Sequence, residues 1–282
     1  MNRPAAVAGT WYPGTRGALG REVDEYLSQV HLVPSGRVNA IIAPHAGIMF
    51  SGPVAAHAYK SAAASGPYDA AVLVGPSHFV AFNGVALYPS GAFECPLGAV
   101  PIDDAVGAEL LALTPIVHVM PEAHRREHSL EMQLPFLKRL LPELPIVPLL
   151  IGYQTSVTIA RLAEALGRVS PSKRLLLIAS SDLSHYFDAA TAMALDRRVE
   201  ECVAAFDSAR LLALFEEYPE AERGRHVACG GGAIIAVMQA AKARGAQNAR
   251  VLKYAHSGDV SGDMSGVVGY LAGACGAFVD VH

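Results

Sequence analysis

Three histidines stand just past short apolar runs. Residues 38–42 lead into Ala43-Pro44-His45-Ala46-Gly47, residues 71–74 into Gly75-Pro76-Ser77-His78, and residues 175–178 into Ser180-Ser181-Asp182-Leu183-Ser184-His185. Open α/β sheets place functional groups past the carboxyl ends of such strands, so the three imidazoles are expected to face one site. A cysteine of similar promise sits in Ala228-Cys229-Gly230-Gly231-Gly232, at the start of an expected helix. There the helix dipole and free amides favour thiolate, and the glycines let backbone come close to the sulfur. Imidazole and thiolate are ligands for zinc, iron and copper, so His45, His78 and Cys229 together are candidate metal ligands. Spacing alone does not place Cys229 with the histidines, and each residue taken singly also reads as an ordinary core group.

The remaining polar groups extend the same site. His185 is the candidate acid/base, because its reference pKa lies near neutrality. Asp182 could orient it or bind a substrate cation, or the serines and Asp182 could cap a helix after the strand. Glu127-His128 lies in a polar stretch, residues 120–129, ahead of a leucine-rich helix. Both are expected in the pocket, against the alternative of a first-turn carboxylate and a surface histidine. His256 follows a late strand and is a further pocket candidate, although Ala-His-Ser-Gly-Asp also suits a turn. Trp11, the only tryptophan, either plugs the amino terminus onto the core or lines a pocket wall. A Gly-x-Gly-x-x-Gly loop, a Gly-Lys-Ser/Thr phosphate loop and a Gly-x-Ser-x-Gly elbow are all missing.

Strands alternating with helices would position these groups. Apolar spacing predicts helices over residues 16–30, 54–64, 103–113, 159–169, 189–206 and 209–215, and from the Cys229 stretch onward. Buried strands are expected over 145–151, 250–254 and 266–271, a β excursion over 84–100, and a charged connection over 218–225. The expected fold class is therefore α/β, a mostly parallel central sheet flanked by helices on both faces, in one domain over residues 1–282.

Composition narrows the partners. The 282 residues are 52% hydrophobic and 17% charged, with net charge −4, which fits a globular chain and offers no basic run for nucleic acid or an anionic membrane. No apolar run approaches a membrane span, and the amino terminus lacks a secretory pattern. Cys95, Cys202, Cys229 and Cys275 show no paired spacing, so a reducing cytoplasm is the expected location.

The ordered motifs resemble one family. The segments Val7-Ala8-Gly9-Thr10-Trp11-Tyr12-Pro13, Ala43-Pro44-His45-Ala46-Gly47, Gly75-Pro76-Ser77-His78, Glu127-His128-Ser129-Leu130-Glu131, Ser181-Asp182-Leu183-Ser184-His185 and Cys229-Gly230 look like the Memo family, whose bacterial and archaeal members are called AmmeMemoRadiSam system protein B. That family is similar in fold to class III extradiol ring-cleavage dioxygenases. The resemblance implies metal at His45, His78 and Cys229, with Fe(II) foremost and copper or zinc as alternatives. It also implies an acid/base at His185 and a pocket lined by Asp182, Glu127 and His128. Radical SAM and AMMECR-type proteins of the same system are the implied partners, with a small molecule or peptide in the cleft. Those dioxygenases use a carboxylate where this chain offers Cys229, and a softer thiolate tilts preference toward copper or zinc. Ile48, Met49 and Phe50 follow Gly47 where polar or tyrosine side chains are expected. A metal-dependent redox protein is the leading expectation. A peptide- or partner-binding module comes second, and a cysteine nucleophile paired with histidine third.

Overall fold

A computed structural model describes residues 2–279. Four strands form its parallel centre: β1 (Gly36–Ala43), β2 (Ala70–Pro76), β7 (Ile146–Ile151) and β8 (Leu175–Ser180). The connecting strands are β3 (Val85–Leu87), β4 (Ala92–Cys95), β5 (Gly98–Pro101), β6 (Val117–Val119) and β9 (His185–Phe187), and the chain ends with β10 (Asn248–His256) and β11 (Val267–Phe278). The main sheet runs β10-β11-β1-β8-β2-β7-β3-β6, with β9 paired to β11. Contacts among β1, β8, β2 and β7 are parallel, while β11 joins β1, β10 and β9 antiparallel and β3 joins β7 antiparallel. The expected β excursion divides accordingly: β3 enters the main sheet, and β4 with β5 makes a separate hairpin.

Eleven helices cover the sheet among the described residues: α1 (Arg16–Ser28), α2 (Ile48–Ser65), α3 (Asp104–Leu113), α4 (Pro121–His124), α5 (Leu134–Leu140), α6 (Ser156–Arg168), α7 (Ala189–Ala204), α8 (Ser208–Glu216), α9 (Glu220–His226), α10 (Gly231–Ala243) and α11 (Gly258–Ser261). Each central strand is apolar on both sides because both sides are covered. Ala40, Ile42, Val72, Val74, Leu177 and Ala179 pack with residues of α6, α7, α8 and α10. Their neighbours Ile41, Ala43, Ala71, Leu73, Leu176 and Ile178 pack with residues of α1, α2 and α5. No helix among the described residues is long and apolar enough to cross a membrane.

Three of the differences from the sequence reading have a clear physical reason. Helix α2 starts six residues ahead of the expected 54, because Pro53 sits inside it and forfeits a single backbone bond. Strand β11 continues to Phe278, past 271, through Gly273 and Gly276. A Cβ on Gly276 would come within 1.9 Å of the Arg37 carbonyl oxygen, so glycine is what lets β11 lie against β1 there. The charged connection contains helix α9, which buries none of its residues and so leaves no apolar periodicity to read.

Candidate metal centre

Strands β1, β8 and β2 lie side by side and end on the same edge of the sheet, so the loops after them converge. A cavity of about 450 Å³ opens at that edge, lined by His45, His78, His128, Asp182, His185, Cys229 and Trp11 among others. Donor atoms of His45, His78 and Cys229 lie within 4.8 Å of one another. Cys229 Sγ stands 3.2 Å from His45 Nε2.

Hydrogen bonds behind the two rings determine which nitrogen each presents. Ser180 Oγ donates its one proton to the Ser129 carbonyl at 2.6 Å and accepts from Gln133 Nε2 at 2.8 Å. It must therefore also accept from His45 Nδ1 at 2.8 Å, which puts that ring's hydrogen on Nδ1 and frees Nε2 toward the sulfur. His78 Nδ1 donates to Glu127 Oε1 at 2.9 Å, so its free nitrogen is likewise Nε2. Metal-binding histidines have this arrangement, with one nitrogen anchored and the other offered. The donor set thus fits a transition-metal ion.

A second cluster, His78, Glu127 and His128, also brings its donor atoms within 4.8 Å. Glu127 is spent on other bonds, however. Its Oε1 accepts from His78 Nδ1, His128 N and Ser129 N, and its Oε2 from His78 N. That carboxylate positions His78 and leaves little for a cation.

The comparisons agree with the ordered motifs. A family model described as Memo-like protein matches residues 3–274. The chain belongs to the Memo family. A MEMO1 family protein of Methanopyrus kandleri is 37% identical over 284 residues, covering 96% of this chain and 98% of its own. One from Thermotoga maritima is 34% identical over 283 residues, with 96% and 99% covered. An uncharacterized Escherichia coli K12 protein, JW3007, is similar in fold alone, with a TM-score of 0.59 at 13% identity over 86% of this chain and all of that one.

In this Memo family protein the Cys229 loop is pinned from both sides. Cys229 N donates to the Asp182 carbonyl, Gly230 N to Ser181 Oγ, and Gln154 bridges the Cys229 carbonyl and the Gly232 amide. Gly230 is required here, because a Cβ would fall 2.5 Å from the Ser180 carbonyl oxygen. Burial pushes the Cys229 thiol up, but the neighbouring His45 charge and hydrogen bonds to His45 and His78 bring it down to about 6. Burial alone would lower His78, yet its bonds to Cys229 and Glu127 lift it to about 10, so its Nε2 becomes available to an ion only as the proton it directs at Cys229 leaves. Glu127 is held well below the usual carboxylate range, with His78 outweighing the cost of burial.

The cavity walls differ in character. Trp11 packs on His128 with ring centroids 4.2 Å apart, and His128 stacks on His78 at 4.7 Å. Burial, with the nearby His45 charge, holds His128 down to about 3, so this wall is neutral near pH 7. Asp182 does not cap a helix. Its Oδ1 accepts the His45 and Ala46 amides, and α7 is capped by Asp188 instead. Burial raises the Asp182 carboxyl against the pull of the His185 charge and those amides. His185 opens β9 and faces the cavity with its Nδ1 buried and unpartnered.

Two expected pocket residues stand apart. Glu127 lies behind His78 outside the cavity lining, and His256 is also outside it, buried at the end of β10, where its backbone N–H meets Asp259. His128 is buried, against the surface alternative. Sequence reasoning passed over Ser180, Gln133 and Gln154 as positioning groups. The available signal was a polar side chain inside an otherwise apolar stretch, as Gln133 is among Leu130, Met132 and Leu134.

Proposed function

We propose that this protein is a metal-dependent redox protein in which His45, His78 and Cys229 hold one transition-metal ion, Fe(II) foremost, with copper or zinc as competing occupants. The carrying observation is the pair of anchored imidazoles, each turning Nε2 to one thiol. A lone nucleophilic cysteine needs a single imidazole as its base, and the second one favours coordination over that alternative. When bound, such an ion supplies one-electron or Lewis-acid chemistry at the cavity floor.

The chain's own groups have separate tasks. Ser180 and Glu127 keep the two ring nitrogens directed and the ring tautomers defined. His185 lines the cavity, and its imidazole can hold or pass a proton to a ligand atom. The neutral rings of Trp11 and His128 exclude water from one side.

Elemental analysis of anaerobically purified protein against a mild chelator tests this. One equivalent of iron or copper is expected in the wild type, with at least tenfold weaker retention in both Cys229→Ser and His45→Ala. Equal retention in wild type and both variants overturns the ligand set. Wild-type protein that holds no metal overturns the redox reading and leaves the cleft as a binding module.

A further inference from the structure

One buried guanidinium holds the turn that aims Glu127. Arg3 is 2% exposed, and all three of its guanidinium nitrogens are engaged. Nε donates to the His124 carbonyl at 2.7 Å, Nη2 to the Glu127 carbonyl, and Nη1 to Glu131 Oε2 at 2.6 Å. The arginine itself has a firm seat. Its backbone N–H donates to the Ala92 carbonyl, its carbonyl accepts from Glu94 N, and the guanidinium lies over the Phe93 ring, 4.8 Å from the centroid. Strand β4 thus presents Arg3 to a loop whose first contact, His124, is 121 positions away.

Charge alone does not account for an arginine here. Glu131 also accepts the Ala6 and Val7 amides and the Tyr12 hydroxyl, and a lysine could supply the one cation it faces. The two carbonyls are what call for a planar fork of donors. They bound one turn, in which Glu127 N donates back to the His124 carbonyl at 3.3 Å. Glu127 therefore has its backbone carbonyl fixed by Arg3, while its carboxylate accepts the ring and backbone nitrogens of His78. A rotation of that turn would swing the carboxylate off the end of β2 and release the His78 ring. His45 is anchored instead by Ser180 at the end of β8, outside this turn.

We propose that Arg3 is a positioning residue for His78 and acts through Glu127. The inference rests on the reading of His78 as a metal ligand, and it makes the two imidazoles unequal. The aim of His45 is set by the sheet, and that of His78 by the amino-terminal segment.

Co(II) is the probe ion, with affinity read by chelator competition. Arg3→Lys keeps a cation beside Glu131 and loses the fork, so about tenfold weaker Co(II) binding is expected. Adding Arg3→Lys to His78→Ala should cost nothing further, while adding it to His45→Ala should cost the full factor. Equal affinity in wild type and Arg3→Lys overturns the proposal, as does an equal loss in both backgrounds. Glu131→Gln is the control for general loosening. It removes the ion pair but leaves both carbonyl bonds, so Tm should fall with Co(II) affinity held, and a matching loss of affinity overturns the proposal. Metal-free protein gives a readout that needs no ion. There the His78 Nδ1 proton, bonded to Glu127, is followed by nuclear magnetic resonance, and its exchange with solvent should quicken in Arg3→Lys but not in Glu131→Gln. Unchanged exchange in Arg3→Lys overturns this inference, whereas wild-type protein that binds no Co(II) overturns only the ligand reading.

Discussion

At the scale of the residue, the site depends on side chains that never touch a ligand. Glu127 anchors His78 through its ring and backbone nitrogens together. Glu127→Gln keeps the shape and loses the charge, and is expected to lower metal affinity about 10- to 100-fold in chelator competition while far-UV circular dichroism stays unchanged. His124 gives a pH dependence that is separate from the candidate metal centre. It is 1% exposed, its Nε2 donates to the Ala86 carbonyl at 3.1 Å, and burial pulls its pKa from 6.5 down to about 3. The unfolded chain therefore binds that proton first, so the contribution is complete above pH 6.5 and declines as pH falls toward 3. Urea unfolding should show about 2 kcal/mol less stability at pH 5 than at pH 7 from this group. That increment should vanish in His124→Gln, whose amide can keep the bond to Ala86. The strand-end histidines were legible in the sequence because apolar runs announce buried strands. Ser180, Gln133 and Gln154 were not, since a polar residue among apolar ones announces a buried hydrogen bond without naming its partner.

At the scale of the element, the segment from Arg3 to Tyr12 is a strap tied down by one buried carboxylate, and Trp11 on it lines the cavity. Buried Glu131 receives Arg3 Nη1 at 2.6 Å, the amides of Ala6 and Val7 at 2.7 and 3.0 Å, and the Tyr12 hydroxyl at 2.5 Å. Arg3 and Glu131 are 2% and 0% exposed, so removing one partner leaves the other charge stranded. Glu131→Ala is expected to cost about 3–5 kcal/mol of unfolding free energy. Its Trp11 emission should shift to the red in the folded protein as the strap loosens, which steady-state fluorescence below the melting transition would record. Glu131 sits inside a motif that carried the family resemblance, yet its bond to the amino terminus spans more than 100 residues and has no local signature. The parallel strands were legible as elements because both of their faces are covered. Helix α9 was hidden for the opposite reason, having no fully buried residue and a partly covered face made of polar side chains and glycine.

At the scale of the whole molecule, stability should grade from the sheet centre outward. Strands β1, β8 and β2 are buried along nearly their whole length, while α9 buries nothing. Hydrogen-exchange mass spectrometry is expected to find residues 220–226 exchanging first and the three central strands last, and the reverse order would contradict this grading. The α/β class and the covered parallel centre followed from the alternation of strands and helices. That Cys229 meets His45 did not follow from spacing; the two were grouped by the ligand chemistry of imidazole and thiolate and by the family resemblance. His45 and Cys229 are separated by 184 positions. Under the proposed ligand set, a nascent segment that has not yet reached Cys229 offers two imidazoles and no thiolate, a weak chelator at best. Firm capture of the proposed ion would then wait until the Cys229 loop has been made and folded against the strand edge, so that the site reports long-range folding and not the local kind.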